Sequence, residues 1–413
     1  MTGETEPAGS FDRIWAELAP VGRSPQTGGY RRYAWTATDS ELREWFADQA
    51  QRRGLALVLD RAGNQWAWWG DPDQAVHAGR PGVVVGSHLD SVPDGGAYDG
   101  PLGVLSGFAA VDALRAAGTV VDRPIAVVNF GDEEGARFGI ACAGSRLLTG
   151  ALAADRARSL TDADGVSMAE AMAGAGQDPA AVGADRETLG RIGAFVELHV
   201  EQGRGLVDLG QPVAIGSSIW PHGRWRIDLP GTANHAGTTR LVDRDDPMLG
   251  YARLVLAARA AAERHDALAT IGKVRTVPNG VNAIASEVTA WLDARGADPA
   301  RVRALVADLT AEATAAGGRL VSESWTDSTA FEPALIRRLA TVLPTAPLLA
   351  TGAGHDAGIL ANAGVPTAML FVRNPTGVSH SPAEYAEPAD CHEGVRALTA
   401  VLAALAGPGT DDG

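Results

Sequence analysis

Five side chains in this sequence share a donor chemistry: His88, Asp99, Glu134, His199 and His380. Imidazoles mixed with carboxylates make an N/O ligand set that suits Zn²⁺ and related divalent ions. His88 and Asp99 lie in VVVGSHLDSVPDGGAYDG (83–100), where an apolar run meets a turn rich in Gly and Pro. Glu134 closes the acidic triplet Asp132-Glu133-Glu134, His199 lies in AFVELHV and His380 in GVSHSP. Shared through one carboxylate, the set supplies three protein ligands to each of two ions. Asp99 bridges, His88 and His199 complete one ion, and Glu134 and His380 complete the other. Two divalent ions held about 3.5–4 Å apart acidify a bound water and polarise a carbonyl oxygen. Glu133, anchored beside a ligand, is the candidate general base. Asp90, two residues past His88, is the candidate partner of that imidazole's second N–H. Each piece has a plainer meaning in isolation: a surface loop for 83–100, a solvated turn for 132–134, the open face of an edge strand for 197–201.

These residues need strands and helices to hold them. Val83–Val85 after Pro81-Gly82 is a continuous apolar run of the kind buried on both faces of a parallel sheet, and 125–130 before the acidic triplet is another apolar strand. The apolar stretch 101–117 between them reads as a buried helix closed by Gly118, giving a βαβ unit with its ligands just past the strand ends. A helix is expected over 40–53 and a hairpin over 55–59 and 64–69. The segment 194–200 alternates, with Glu197 and His199 on one face. From about Trp220 the order becomes strand (224–229), helix (247–264), strand (270–276), strand (287–294), helix (299–316), strand (319–326), the ferredoxin-like split βαβ pattern. Strands over 348–350 and 368–372 and a helix over 389–406 follow. The expected architecture is α/β: a largely parallel sheet domain, 1–217 with 329–413, interrupted by an inserted α+β domain, 218–328. Residues 1–10 and 407–413 are polar or Gly/Pro-rich and are expected to fray.

Composition narrows the function classes. With 413 residues and a formal net charge of −15, the chain is too acidic for nucleic acid to be its main partner. Two cysteines, Cys142 and Cys391, cannot build a disulfide framework and fit a reducing, cytoplasmic setting. No apolar run reaches the ~20 residues that cross a bilayer, and no secretory signal pattern opens the chain. Gly352-x-Gly354 follows a strand, but the next glycine, at 358, is misplaced for a dinucleotide loop. No G-x-S-x-G elbow occurs, and Cys142 has no basic neighbour nearer than Arg146, so nucleophilic catalysis has little support. Leu249, Leu254, Val255 and Leu256 give the inserted domain apolar helix surface that suggests a dimer.

GSHLDSVPDGGAYDG, NFGDEEGARFG, ELHVEQG, ANHAGTT, PNGVNAIASEV, GAGHDA and GVSHSPAE, in this order, resemble the M20 metallopeptidase family. They resemble its amidase branch in particular: N-carbamoyl-L-amino acid hydrolases, allantoate amidohydrolases and β-ureidopropionases. ELHVEQG discriminates, because this branch has a His, here His199, where peptidase relatives place an acidic ligand. The resemblance implies the same five metal ligands, Glu133 as base, and Zn²⁺, Mn²⁺ or Co²⁺ as the two ions. It also implies that Gln202, His235, Asn282 and Arg295 hold substrate, with His355 as a further active-site histidine. Arg295 offers a fork for an α-carboxylate; His235 and Asn282 can donate to a carbonyl oxygen as charge builds on it. The implied substrate is a small N-carbamoyl or ureido carboxylate, and the implied assembly a homodimer through the inserted domain. A dipeptidase or N-acyl-amino acid deacylase is the alternative within the family, and a non-catalytic metal-binding or sensing protein the alternative outside it. Arg240-Leu241 after ANHAGTT, where many relatives continue Pro-Met, leaves the side-chain pocket open.

Overall fold

The structure, a computed structural model, describes residues 7–408. The fraying expected of the termini therefore lies outside the described residues for 1–6 and 409–413. From Pro7 the chain is already helical (Pro7–Leu18), because Phe11, Ile14 and Leu18 bury in the core. The chain divides into two compact units. One comprises Met1–Ser217, Ala330–Leu349 and Gly354–Gly413; the other comprises Ser218–Thr329 and Ala350–Ala353.

The first unit is built on a mixed sheet whose centre is parallel. Strands Ile125–Phe130, Gly82–His88, Ile192–Val200 and Thr367–Val372 lie side by side in that order, all parallel. The hairpin Ala56–Leu59/Gln65–Trp69 extends one edge antiparallel, and Val213–Ile219 pairs antiparallel on the other. Gly82–His88 and Ile125–Phe130 are buried at every residue, which is why their sequences show no polar alternation. Ile192–Val200 is an interior strand rather than an edge, so Glu197 and His199 face the protein interior and are fully buried. Helix Pro101–Ala116 packs onto these strands. At Gly103 a Cβ would lie 2.3 Å from the Leu198 carbonyl oxygen, so only glycine permits this approach. Helix Pro388–Ala406 packs beside it, its Val395, Leu398, Val401 and Leu402 joining the same core. The four parallel strands end together, and the ligand-bearing segments leave from their carboxyl ends.

Several elements of this unit carry too few residues for a periodicity signal. Helices Ala143–Thr149, Ala154–Ser159, Met168–Gly174 and Arg186–Gly190 run five to seven residues each and enclose a satellite core of Phe138, Leu147, Leu152, Met168 and Met172.

The second unit has a four-stranded antiparallel sheet in the order Arg319–Thr326, His222–Pro230, Glu287–Arg295, Leu268–Val277. Helices Pro247–His265 and Pro299–Ala315 cover one face, closing a core of Ile227, Leu229, Leu254, Leu292, Leu305 and Leu309. A short pair unforeseen from sequence, Asn234–His235 with Ala283–Ile284, stands off this sheet.

Candidate metal centre

The carboxyl ends of the parallel strands bring together ligands that are far apart in sequence. Asp99 faces two clusters at once. His88 Nε2 and His199 Nε2 lie 3.4 and 3.1 Å from its Oδ1, and His380 Nε2 lies 3.4 Å from its Oδ2. His380 Nε2 is also 3.6 Å from Glu134 Oε2. Two groups result, His88–Asp99–His199 and Asp99–Glu134–His380, with donor atoms within 4.8 Å of one another in each. His88 Nε2 and His199 Nε2 are buried and have no hydrogen-bond partner. Orphaned ring nitrogens of this kind are costly unless something binds them. Two unpartnered imidazole nitrogens converging on a carboxylate therefore fit a divalent cation.

The supports of these ligands are equally specific. His88 ends its strand, and its Nδ1 lies 3.1 Å from the Asp90 carbonyl oxygen and 3.4 Å from Asp90 Oδ1. The Asp90 carboxylate also accepts the backbone N–H groups of Glu133 (3.1 Å) and Glu134 (3.0 Å), so it fixes the loop that carries both glutamates. His199 Nδ1 lies 2.9 Å from the Val200 carbonyl oxygen, which orients Nε2 toward Asp99. Glu384, buried, accepts the backbone N–H groups of Tyr98 (2.8 Å) and Asp99 (3.0 Å) and holds Ser379 Oγ at 3.1 Å. Glu197, wholly buried, accepts Ser87 Oγ–H at 2.6 Å and Ala357 N–H at 2.9 Å, and forms a third donor group with His199 and His355. Glu384 and Glu197 were missed as site residues in the sequence. The signal for Glu197 is its sharing a strand face with His199; Glu384 stands four residues past His380 as the last residue of GVSHSPAE, a position that gives it no role by itself.

Electrostatics follow from burial and crowding. Burial alone would raise the Asp99 carboxyl, yet charge on His199 and the nearness of the His380 and His88 imidazoles hold it well below the usual range. Burial opposes charge on His88, but the Asp90 and Asp99 carboxylates beside its two ring nitrogens carry it well above the ordinary imidazole value. Burial pushes Glu133 well up, with Asp356 and Glu134 adding to it; Glu134, buried beside Asp99, rises to about 7. His355 is driven well down by burial and by His199, whose ring centroid lies 4.5 Å away.

The remaining residues fall into two sets. In the first unit, Gln202 Nε2 donates to Asp99 Oδ2 at 2.7 Å and lies 3.3 Å from His380 Nε2, within the second donor group. Glu133 Oε2 is 3.9 Å from His88 Nε2. His355 is buried with Nε2 unpartnered. In the second unit, His235 and Asn282 are exposed neighbours, joined by the Ala236 N–H to the Asn282 carbonyl at 2.9 Å. Arg295 ends strand Glu287–Arg295, and its fork grips Asp293 (2.8 and 2.7 Å) while Nη1 donates to the Gly352 carbonyl at 2.8 Å.

The chain as a whole is similar to several known proteins. An N-carbamoyl-L-amino acid amidohydrolase of Geobacillus stearothermophilus is 36% identical over 410 residues, covering 94% of this chain and 96% of that protein. Allantoate amidohydrolase of Escherichia coli is 32% identical, covering 94% of this chain and 96% of that protein. Among solved structures, a hydantoinase/carbamoylase family amidase from Burkholderia vietnamiensis superposes with a TM-score of 0.86 at 29% identity, covering 96% of this chain and 98% of that one. Residues 84–404 match the model of peptidase family M20/M25/M40, and the chain belongs to that family.

Proposed function

We propose that this protein is a binuclear metal-dependent amidohydrolase that cleaves a linear C–N amide, converting an N-carbamoyl-L-amino acid to the L-amino acid, CO₂ and ammonia. The observation that carries the reading is Asp99, whose two oxygens address separate donor groups, His88 with His199 and Glu134 with His380. The relatives named above support the bond type, since both are named amidohydrolases, one of N-carbamoyl-L-amino acids and one of allantoate. Bound there, two divalent ions such as Zn²⁺, Mn²⁺ or Co²⁺ would acidify a water and polarise the substrate carbonyl.

The chain's own groups do the rest. Glu133 takes the water's proton and delivers it to the leaving nitrogen; its burial and raised carboxyl make it a stronger base than a solvated carboxylate. Asp90 keeps Glu133 in place through the backbone. His235 and Asn282 donate to the carbonyl oxygen as negative charge grows. Arg295 binds the substrate α-carboxylate, exchanging its present partner Asp293 for a ligand of the same geometry. Gln202 and His355 contact substrate from the metal side.

A homodimer belongs to this reading. Strand Glu287–Arg295 spans eight residue steps, about 26 Å, and His235 and Asn282 lie beyond its Glu287 end while Arg295 ends the other. One small substrate cannot touch all three in a single copy, so His235 and Asn282 are assigned to the neighbouring copy's site. Leu249 (61% exposed) and Leu256 (73%) on helix Pro247–His265 supply apolar surface for the contact. The free, buried cysteines support a reducing compartment such as the cytoplasm.

The test is ammonia release across N-carbamoyl, ureido and N-acyl amino acids, using protein stripped by chelator and reloaded with each metal. Release of ammonia from a carbamoyl substrate is expected. Amine release without ammonia would favour the dipeptidase or deacylase reading, and silence on every substrate would end both.

A further inference from the structure

Among the described residues the Glu133 carboxylate meets one hydrogen-bond donor, the Cys142 thiol, with Sγ 3.2 Å from Oε1. The two residues are tied a second time, by the Cys142 backbone N–H to the Glu133 carbonyl at 2.5 Å. Cys142 has φ +55°, a left-handed conformation uncommon for a residue with a side chain. From that position it caps helix Ala143–Thr149. One turn on, Ser145 Oγ lies 3.2 Å from the Cys142 carbonyl and donates to Asp356 Oδ1 at 2.5 Å, next to His355. A single helical turn thus touches both Glu133 and Asp356, the first residue of helix Asp356–Asn362 and the neighbour of His355.

We infer that Cys142 is a positioning residue for Glu133: its S–H holds Oε1 and so turns Oε2 toward His88, leaving that oxygen to receive the proton. This rests on the reading of Glu133 as general base. A thiol is a weak donor, so it fixes the carboxylate's rotamer while lowering its basicity less than a hydroxyl would. Burial pushes the Cys142 thiol well above its usual range, which keeps it an S–H donor rather than a thiolate. Cys142 is 4% exposed, so this thiol acts from within the core.

The experiment compares Cys142→Ala, Cys142→Gly and Cys142→Ser in the full-length, metal-loaded enzyme, on a substrate that the wild type turns over. Ala and Gly both delete the donor, and Gly does so in a backbone conformation it adopts freely. Both are expected to lower kcat about tenfold, the worth of one hydrogen bond in the transition state. KM and metal content should stay at wild-type values, and Ser should recover most of kcat. A kcat within about twofold of wild type for Ala or Gly would overturn the proposal. So would a Ser variant that falls with Ala while KM and melting temperature shift together, since that describes packing. Glu133→Gln separates the two readings. Full activity of that variant would remove Glu133 as base, whereas an inactive Glu133→Gln beside a fully active Cys142→Ala would remove only the positioning role.

Discussion

Replacing Gly100 with Ala should damage the metal centre without replacing a ligand. Gly100 has φ +86° and ψ −61°, and a Cβ there would lie 2.5 Å from both Cε1 and Nδ1 of His88. Ordinary contacts between such atoms are about 3.5 Å, so the ring or the backbone must move by about 1 Å. Neither yields easily. His88 is 1% exposed, and the Gly100 carbonyl is held by the Gly103 N–H as the first turn of helix Pro101–Ala116 begins. Overpacking of this kind costs about 1–3 kcal/mol, and the positive φ adds about 1–2 kcal/mol for a residue with a Cβ. Gly118→Ala is the control, because Gly118 has φ +63° with nothing within 4 Å of its Cβ position, so it carries the backbone cost alone. The difference between the two variants isolates the push on His88. An imidazole moved about 1 Å from a bond normally near 2.0–2.1 Å ceases to be a good ligand, and metal affinity should fall about 10–100-fold. Metal content after dialysis against graded chelator, with melting curves alongside, measures both effects. Should Gly100→Ala retain metal like the wild type and melt together with Gly118→Ala, the assignment of His88 as a ligand held by this contact is wrong.

Three further outcomes are expected. In chelator-stripped protein, burial raises Glu134 to about 7 and Asp356 to about 8, while the hydrogen bond to Asp99 raises His380 to about 9. All three folded values lie above the unfolded ones, so the folded chain binds the extra protons and stability must decline as pH rises through 7 to 9; a stripped-protein melting temperature that rises over this window would contradict the assignment. Asp60 accepts four N–H groups, from Ala62, Asn64 (backbone and side chain) and Trp66, at 2.8–3.1 Å. Asp60→Asn turns an amide NH₂ toward those donors and should cost about 2–4 kcal/mol in urea unfolding, and an unchanged midpoint would show that the loop relaxes freely. Finally, mixing Arg295→Ala with His235→Ala protein should restore up to about one quarter of wild-type activity, because half of the random dimers then hold one intact site of their two; a mixture no more active than its components would place all these residues in one copy's site.

What sequence could reveal depended on how local its cause was. The parallel strands were legible because a strand buried on both faces is mostly apolar, as Val83–Val85 is throughout and Ile125–Phe130 is apart from Asn129. His199 was ambiguous, since alternation fits an exposed edge as well as a strand whose polar face lines a buried site. Only the neighbouring strands Gly82–His88 and Thr367–Val372 decide the matter. Glu384 stood in view as the last residue of GVSHSPAE, but its role did not, because its partners Tyr98 and Asp99 are 286 and 285 residues away and no spacing rule reaches that far. Arg295 shows the opposite case. Its partner Asp293 is two residues away on the same strand face, a pairing that period-two geometry predicts.

The crowding of acids around Asp99 carries the physical argument. Asp90, Asp99, Asp132, Glu133, Glu197 and Asp356 are each no more than 6% exposed, and no Arg or Lys forms an ion pair with any of them among the described residues. Folding so many carboxylates into one region is unfavourable unless protons or cations neutralise them. Asp132 makes the point most plainly: burial and the charge of Asp90 push it well up, and both its oxygens lack partners. The imidazoles of His88, His199 and His380 supply part of the compensation as cations on Asp99, but a protonated imidazole cannot also offer a lone pair to a metal. Loading the centre must therefore release protons, and the number released per ion should fall as pH rises from 6 to 9. Calorimetric titration of stripped protein in buffers of different ionisation enthalpy measures that number directly. A proton count of zero across the range would mean that the cluster is neutralised by something other than what binds between these imidazoles.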